Sequence, residues 1–152
     1  YFAESEEIYK NNEFLKFSSN TIQNNKEKYV KITVDPLDKD LIIDGSSFNG
    51  KTSKESIVGT WWNHEIVKRN AQISAISGRV IEQTVTFVGK EEVMIGEKVF
   101  NTLHFNFKSS DATLPDKKKL NTDIWYDEST YLWVKAAFDK TGYWEYRIKK
   151  YK

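Results

Sequence analysis

The sequence predicts a mainly β fold, and three observations support that class. Turn-forming residues recur at short intervals, at Asn24-Asn25, Asp44-Gly45, Asn49-Gly50, Ser77-Gly78, Gly89, Gly96, Leu114-Pro115-Asp116 and Asp139 to Gly142. Between these turns, apolar and polar residues alternate with a period of two. The same stretches are rich in the β-branched and aromatic residues that favour strands. We therefore expect an antiparallel meander interrupted by one short helix.

The first clear strand is half-buried. Val30, Ile32 and Val34 share one face, whereas Lys31 and Thr33 point the other way. This alternation is typical of a sheet with one solvated face. Two later segments are apolar on both faces and are predicted to be central strands, at residues 80–88 and 99–108.

The segment "TWWNHEIVKRNA" breaks the strand pattern and predicts one short helix at about residues 60–71. Trp62 and Ile66 are four residues apart, Glu65 precedes Arg69 by four, and Thr60 is a suitable N-cap.

The C-terminal stretch "TDIWYDESTYLWVKAAFDKTGYWEYRIKKYK" is predicted to close the domain as a β-meander. In its second strand one face is expected to point inward, namely Leu132, Val134, Ala136 and Phe138. Asp139 to Gly142 fits a hairpin loop, and the returning strand places Trp144 and Tyr146 opposite Phe138 and Ala136. Trp133 and Tyr131 lie on the other face, which is apolar enough to need a cover.

Length and charge restrict the function. The chain of 152 residues is expected to form a single β domain over 1–152. Its net charge of +1 gives no global field that would attract nucleic acid or an anionic membrane. There is no cysteine, and the apolar runs are too short for a membrane-spanning helix, so we expect no transmembrane segment in the chain as given.

Catalytic chemistry finds little support in the sequence. Asp123 and Asp127 flank Trp125 on one strand face, but four strand residues separate them by about 13 Å. Working carboxyl pairs in glycosidases are roughly 5–10 Å apart, so Asp127 is interpreted as an Asx-turn residue. His64 and Glu65 are adjacent and poorly placed to share a metal ion, and His104 is interpreted as a structural or pocket-wall imidazole. We therefore expect no metal, and we expect no cofactor. The sequence also has no nucleophile elbow and no phosphate-binding glycine loop, so a hydrolase or a nucleotide-dependent enzyme has little support.

The aromatic residues, 14% of the chain, are the remaining functional signal. They predict either a packed core or a groove for an apolar ligand or a partner protein. The candidate binding residues are Trp61, Trp62, His64, His104, Trp125, Tyr131, Trp133 and Tyr143.

Three segments resemble an uncharacterised bacterial family, the domain of unknown function 6134 family. These are "ESEEIYKNNEFLKFSSNTIQNN", "GTWWNHEIVKRNAQISAISGRVIEQTVTFVGKEEVMIGEKVFNTLHFNF" and the ending "DIWYDESTYLWVKAAFDKTGYWEYRIKK". The ending is also similar to that of the domain of unknown function 3108 group of envelope proteins. Tyr9 stands where the family usually has Trp, and Asn25-Lys26 where it usually has Asn-Gly.

The resemblance implies a curved antiparallel sheet of half-barrel form with the helix across its concave side. It also implies a bacterial periplasmic or envelope location, and a longer natural protein with a secretion signal and additional early strands. It brings no established activity. We hypothesise a non-catalytic envelope protein that binds a partner protein or an apolar ligand. The alternatives are a periplasmic lipid carrier and an envelope-polymer hydrolase acting through Asp123, His64 or His104.

Overall fold

The computed structural model describes residues 2–139 and 143–149, with only the backbone of Asp139, Tyr143 and Trp144. The fold is mainly β, as predicted. Contacts divide the chain into two compact units, Tyr1–Gly59 with Ala71–Ile81 and Thr60–Asn70 with Glu82–Lys152. The prediction of a single domain over 1–152 stays a prediction. Among the described residues, no helix has the length and apolarity needed to cross a bilayer.

The first unit contains a five-stranded antiparallel sheet in which each strand pairs with its sequence neighbours. Its strands are β1 (Phe2–Lys10), β2 (Glu13–Gln23), β3 (Lys26–Val34), β4 (Leu41–Gly45) and β5 (Asn49–Thr52). Two further short strands of this unit, β6 (Ile57–Val58) and β7 (Ala71–Ile73), pair in parallel. Short loops and local pairing give the meander that the turn spacing predicts.

Two Asn-Asn turns set the register of the first three strands. Asn11 and Asn12 join β1 to β2, and Asn24 and Asn25 join β2 to β3; all four residues have φ between 51° and 64°. A two-residue hairpin loop with positive φ at both positions is a type I′ turn, which asparagine tolerates and whose twist matches that of the strands.

The core of the first unit lies on one face of its sheet. Its buried members are Phe17, Val30, Ile32, Leu41, Ile43, Val58 and Ile73. Burying each of these side chains contributes roughly 1.5–3 kcal/mol. Lys31 between Val30 and Ile32 is exposed, so the predicted alternation in this strand is confirmed.

The second unit is built on five antiparallel strands in the order β12-β11-β10-β9-β8. They are β8 (Val80–Ile95), of which residues 82–95 belong to this unit, β9 (Lys98–Ser109), β10 (Asn121–Asp127), β11 (Trp133–Asp139) and β12 (Tyr143–Arg147). β9 pairs with β8 and β10, so its prediction as a central strand is confirmed. Phe138 lies opposite Trp144, and Ala136 opposite Tyr146, which confirms the predicted hairpin register.

Both faces of the second sheet bury apolar residues. One face holds a cluster of Val93, Phe100, Trp125, Val134 and Ala137. By register the opposite face holds Phe107, Ile124 and Ala136, which are also buried. β10 therefore contributes three consecutive buried residues, Ile124, Trp125 and Tyr126.

Three details of the sequence prediction are corrected. The helix predicted at about 60–71 is a 3₁₀ helix at His64–Lys68, and its N-cap is Asn63 rather than Thr60. Leu132, predicted to point inward, is exposed, and Ala137, predicted to point outward, is buried. A register shift between Trp125 and Tyr126 displaces the alternation at this end of β11. A second 3₁₀ helix occupies Asp116–Lys118, and residues 140–142 of the predicted hairpin loop lie outside the described residues.

Candidate functional site

The predicted site residues fall into two groups, both within the second unit. Trp61, Trp62, His64, Tyr131 and Trp133 come together around the segment at residues 60–70. His104 and Trp125 form a separate cluster on β9 and β10. The side chain of Tyr143, the eighth predicted residue, lies outside the described residues.

The segment at residues 60–70 is fixed to the second sheet by buried contacts. Ile66 is fully buried. The side-chain amide of Gln83, on β8, donates to the carbonyl oxygens of Ile66 at 3.2 Å and Arg69 at 3.0 Å. The hydroxyl of Tyr126, on β10, donates to the carbonyl oxygen of Trp61 at 2.6 Å. Burial raises the pKa of this hydroxyl, so it remains a donor at all ordinary pH values.

Local hydrogen bonds explain why the segment is a short helix. Asn63 caps it, because its side-chain oxygen accepts from the backbone N–H of Glu65 at 3.1 Å. Glu65 in the first turn and Lys68 in the last complement the helix dipole. The helix has five residues and the 3₁₀ geometry of three residues per turn. Trp62 lies before the helix and is exposed, whereas Ile66 within the helix is buried.

The aromatic face of β11 is covered by this segment. The ring of Trp61 stacks on that of Trp133 with 5.8 Å between centroids and lies 5.6 Å from that of Tyr146. His64 stacks on Tyr131 at 4.9 Å with the rings 18° apart. The indole N–H of Trp133 is buried and has no hydrogen-bond partner among the described residues. The prediction that Trp133 shares a face with Lys135 is wrong, because the register shift pairs Trp133 with Tyr126, on the face of Ile124, Ala136 and Tyr146. Trp61 covers this face from within the same unit.

An open pocket of about 390 Å³ lies beside the aromatic stack. Its lining combines apolar and polar side chains, namely Trp62, His64, Lys98, Phe100, Asp127, Thr130, Tyr131 and Leu132. Trp62 is 55% exposed, Tyr131 47% and Leu132 37%. The joint exposure of three large apolar side chains at one concave place makes this pocket the candidate binding site.

Tyr131 holds an unusual backbone conformation in this pocket. Its φ is 58°, in the left-handed region that non-glycine residues seldom adopt. For a bulky residue this conformation costs about 1 kcal/mol or more. Asp127 stabilises the turn that imposes it, since Asp127 Oδ1 accepts from the backbone N–H groups of Ser129 at 2.9 Å and Thr130 at 3.0 Å. The predicted Asx-turn role of Asp127 is confirmed.

Asp127 is the carboxylate of the pocket lining, and it stays ionised. Partial burial would raise its pKa, but the hydrogen bonds from the Thr130 and Ser129 N–H groups outweigh this effect, and the pKa lies below its usual value. Lys98 contributes in the same direction. Such a carboxylate can accept hydrogen bonds from a ligand but is a poor proton donor near neutral pH.

His104 occupies the other group, between two carboxylates. Its Nδ1 lies 3.0 Å from Glu91 Oε1, and its Nε2 lies 2.9 Å from Asp123 Oδ1. Its ring stacks on Trp125 with 4.2 Å between centroids, and Lys135 Nζ lies 4.0 Å from the centroid of the Trp125 ring. Each of the two ring nitrogens of His104 therefore has a carboxylate partner, and both carboxylates belong to strands of the same sheet. These contacts hold the imidazole in place.

Glu91 connects this network. Its Oε2 accepts from the indole N–H of Trp125 at 2.8 Å. This bond, followed by the contact with His104, lowers the pKa of Glu91 despite the opposing effect of burial. Asp123 also accepts from the side-chain amide of Asn106 at 3.1 Å. Among the described residues, no group of three or more His, Asp or Glu side chains is arranged to hold a metal ion.

The sequence analysis did not identify four residues that contribute to these two groups, namely Glu91, Lys135, Lys98 and Gln83. A signal for Glu91 existed, because Gly96 turns the hairpin and pairs Ile95 with Lys98. Counting back along this register places Glu91 opposite Thr102. The same count pairs Gly89 with His104, which places Glu91 two residues from the partner of His104 on the same strand face. The single-residue bulge at Val88 shifts only the pairs beyond it, from Phe87 with Phe105 onward.

Comparison with known proteins gives one family. A family model described as Domain of unknown function (DUF6134) matches residues 1–149, which confirms the predicted resemblance. Neither the curated proteins nor the solved structures gave a significant match.

Proposed function

This chain belongs to the DUF6134 family, and we propose that it is a non-catalytic binding protein of the bacterial envelope. Its ligand or partner occupies the pocket lined by Trp62, His64, Tyr131 and Leu132 in the second unit. The observation that carries the proposal is the exposure of Trp62, Tyr131 and Leu132 around a cavity of about 390 Å³. The envelope location rests on the motifs shared with envelope proteins.

The rigidity of the pocket supports binding. Trp62 precedes a helix whose Ile66 is fully buried and whose carbonyl groups are held by Gln83. Trp61, next to it, is held by the Tyr126 hydroxyl. A preorganised site loses little conformational entropy on association, so its contacts translate efficiently into affinity. The backbone that carries the exposed Trp62 indole is therefore anchored on both sides of this residue.

The chemistry of the pocket favours binding over hydrolysis. Glycoside hydrolysis requires two carboxyl groups, one of them protonated. The described lining contains one, Asp127, whose pKa is lowered by the turn that it caps. Asp123 and His104 belong to the other cluster, where each already has hydrogen-bond partners within the sheet.

The proposal is tested by native mass spectrometry of the protein purified from its source, compared with Trp62→Ala and with Phe87→Ala. Phe87 is a matched control because it is an aromatic residue of the same unit, 53% exposed and outside the pocket lining. We expect a bound species in the wild type that is lost from Trp62→Ala and retained by Phe87→Ala.

The mass of the bound species separates the alternatives. A lipid would favour the carrier, and a protein in fixed stoichiometry would favour a subunit of an envelope assembly. If no bound species depends on Trp62, and the protein cleaves an envelope glycan in a way that requires Asp123, His64 or His104, the non-catalytic proposal is wrong.

A further inference from the structure

We infer that the occupant of the Trp62 and Tyr131 pocket is a saccharide, with one or two sugar rings of a glycan chain seated in it. The inference rests on the proposed function and names the ligand class of that site. It follows from the combination of aromatic and polar side chains that line the cavity.

A sugar ring presents two kinds of surface that this lining matches. Its faces carry C–H groups, and its edge carries hydroxyl groups. Aromatic ring faces are electron-rich, so they attract the slightly positive C–H groups of a sugar face. Trp62 and Tyr131 supply exposed rings, whereas Asp127 and Lys98 supply an acceptor and a donor for the edge. The Thr130 hydroxyl is already used within the turn, where it donates to Asp127 Oδ1 at 3.1 Å and accepts from the Leu132 N–H at 3.2 Å.

The orientation of Tyr131 is set before a ligand arrives. His64 stacks on its ring at 4.9 Å with an interplanar angle of 18°, and the Asp127 turn holds its backbone at a φ of 58°. The turn thus maintains a strained residue whose ring is half exposed and supported on one side by an imidazole. This arrangement provides a flat, rigid platform, as stacking on a ring face requires.

An acyl chain fits this lining less well. Lys98 and Asp127 line the same cavity as Phe100, and an alkyl chain in contact with them would remove water from charged groups without replacing their hydrogen bonds. The volume of about 390 Å³ also lies near the lower end of the range for small-molecule pockets. A sugar ring is small enough for this volume, and its hydroxyl groups can form hydrogen bonds with the charged side chains.

Titrations with defined probes test the ligand class. The sugar probes are chitotriose, cellotriose and maltotriose, and dodecanoate below its critical micelle concentration is the acyl probe. Binding is measured by calorimetry and by tryptophan fluorescence. We expect at least one trisaccharide to bind with a Kd below about 10 mM, and Trp62→Ala to weaken it by about tenfold or more.

Two further variants keep the result interpretable. Tyr131→Asn removes the ring but tolerates the positive φ, so the turn is retained, and we expect a loss of sugar affinity similar to that of Trp62→Ala. Phe87→Ala should leave the affinity unchanged. Urea midpoints of all three variants verify that the second unit remains folded.

The outcomes distinguish the inference from the proposed function. If no trisaccharide binds, but dodecanoate binds in a Trp62-dependent way, the saccharide inference is wrong and the binding function stands. If a trisaccharide binds equally well to Trp62→Ala and Tyr131→Asn, the pocket is not the sugar site. If no probe binds and no species from the source depends on Trp62, both are overturned.

Discussion

The amide of Gln83 is the contact on which the pocket-bearing segment depends most directly. Gln83 is buried at 4% exposure, and its Nε2 donates to the carbonyl oxygens of Ile66 and Arg69. The substitution Gln83→Met removes both donors and nearly preserves the side-chain volume, so no cavity is created. The backbone bond from Gln83 N–H to the Asn70 carbonyl, at 2.8 Å, is not changed by the substitution.

The expected cost follows from the burial of the two acceptors. A hydrogen bond contributes about 1 kcal/mol net, and a buried carbonyl left without a donor costs about 1–3 kcal/mol. The bond to Ile66 is buried and the bond to Arg69 partly buried, so the second carbonyl recovers some of its loss from water. We expect Gln83→Met to lower the free energy of unfolding by about 2 kcal/mol.

Urea denaturation followed by tryptophan fluorescence measures this effect. With a slope of about 2 kcal/mol per molar urea, the midpoint should fall by roughly 1 M. Gln23→Met, at the end of β2 in the first unit, is the matched control and should change the midpoint little. Amide exchange should also accelerate at Ile66 and Arg69, whose N–H groups bond within the segment. A loss below about 0.5 kcal/mol with unchanged exchange would mean that Gln83 does not hold the segment.

Three further variants test other contacts of the second unit. Ile66→Ala should cost about 2–5 kcal/mol in urea unfolding because the side chain is fully buried, and a smaller cost would show that the segment is loosely packed. Tyr126→Phe should cost about 1 kcal/mol through the lost bond to the Trp61 carbonyl, whereas Tyr146→Phe, at an exposed ring, should cost little. Glu91→Gln should destabilise by less than about 1 kcal/mol, since the carboxylate is half exposed. The pKa of Glu91 is lowered on folding, so this difference should be full above its ordinary value of 4.5 and vanish as the pH falls through the folded pKa; a difference that persists in acid would contradict the assignment.

Alternation predicted the strands well because period-two burial is a local property. Val30 and Ile32 are buried on either side of exposed Lys31, and the strand at 99–108 is central in the second sheet. The Asn24-Asn25 turn was also predictable, since asparagine tolerates the positive φ of a type I′ turn.

The failures occur where the register shifts. Leu132 is exposed because a shift between Trp125 and Tyr126, together with the positive φ of Tyr131, changes the alternation entering β11. The spacing of Trp62 and Ile66 predicted a shared helix face, but the helix is a 3₁₀ helix that begins at His64. Neither bulges nor the choice between α and 3₁₀ geometry follows from local composition.

The candidate site was predicted in its residues but not in its arrangement. Aromatic content identified Trp61, Trp62, Tyr131 and Trp133, which come together in the structure. That His64 stacks on Tyr131 depends on how a segment distant in sequence folds onto β11, so it could not be derived from spacing. Lys98 lines the pocket because the β8–β9 hairpin places the start of β9 there. In the sequence it cannot be distinguished from an ordinary surface lysine.

The most direct test of the pocket uses the five tryptophans as reporters. The protein is labelled with 5-fluorotryptophan, its fluorine resonances are assigned by single substitutions, and it is titrated with chitotriose, cellotriose and maltotriose and with the species recovered from the native protein. We predict that the Trp62 resonance shifts with saturation, while that of Trp125, buried in the His104 cluster, stays in place. A titration that moves Trp125 and leaves Trp62 unchanged would contradict the account.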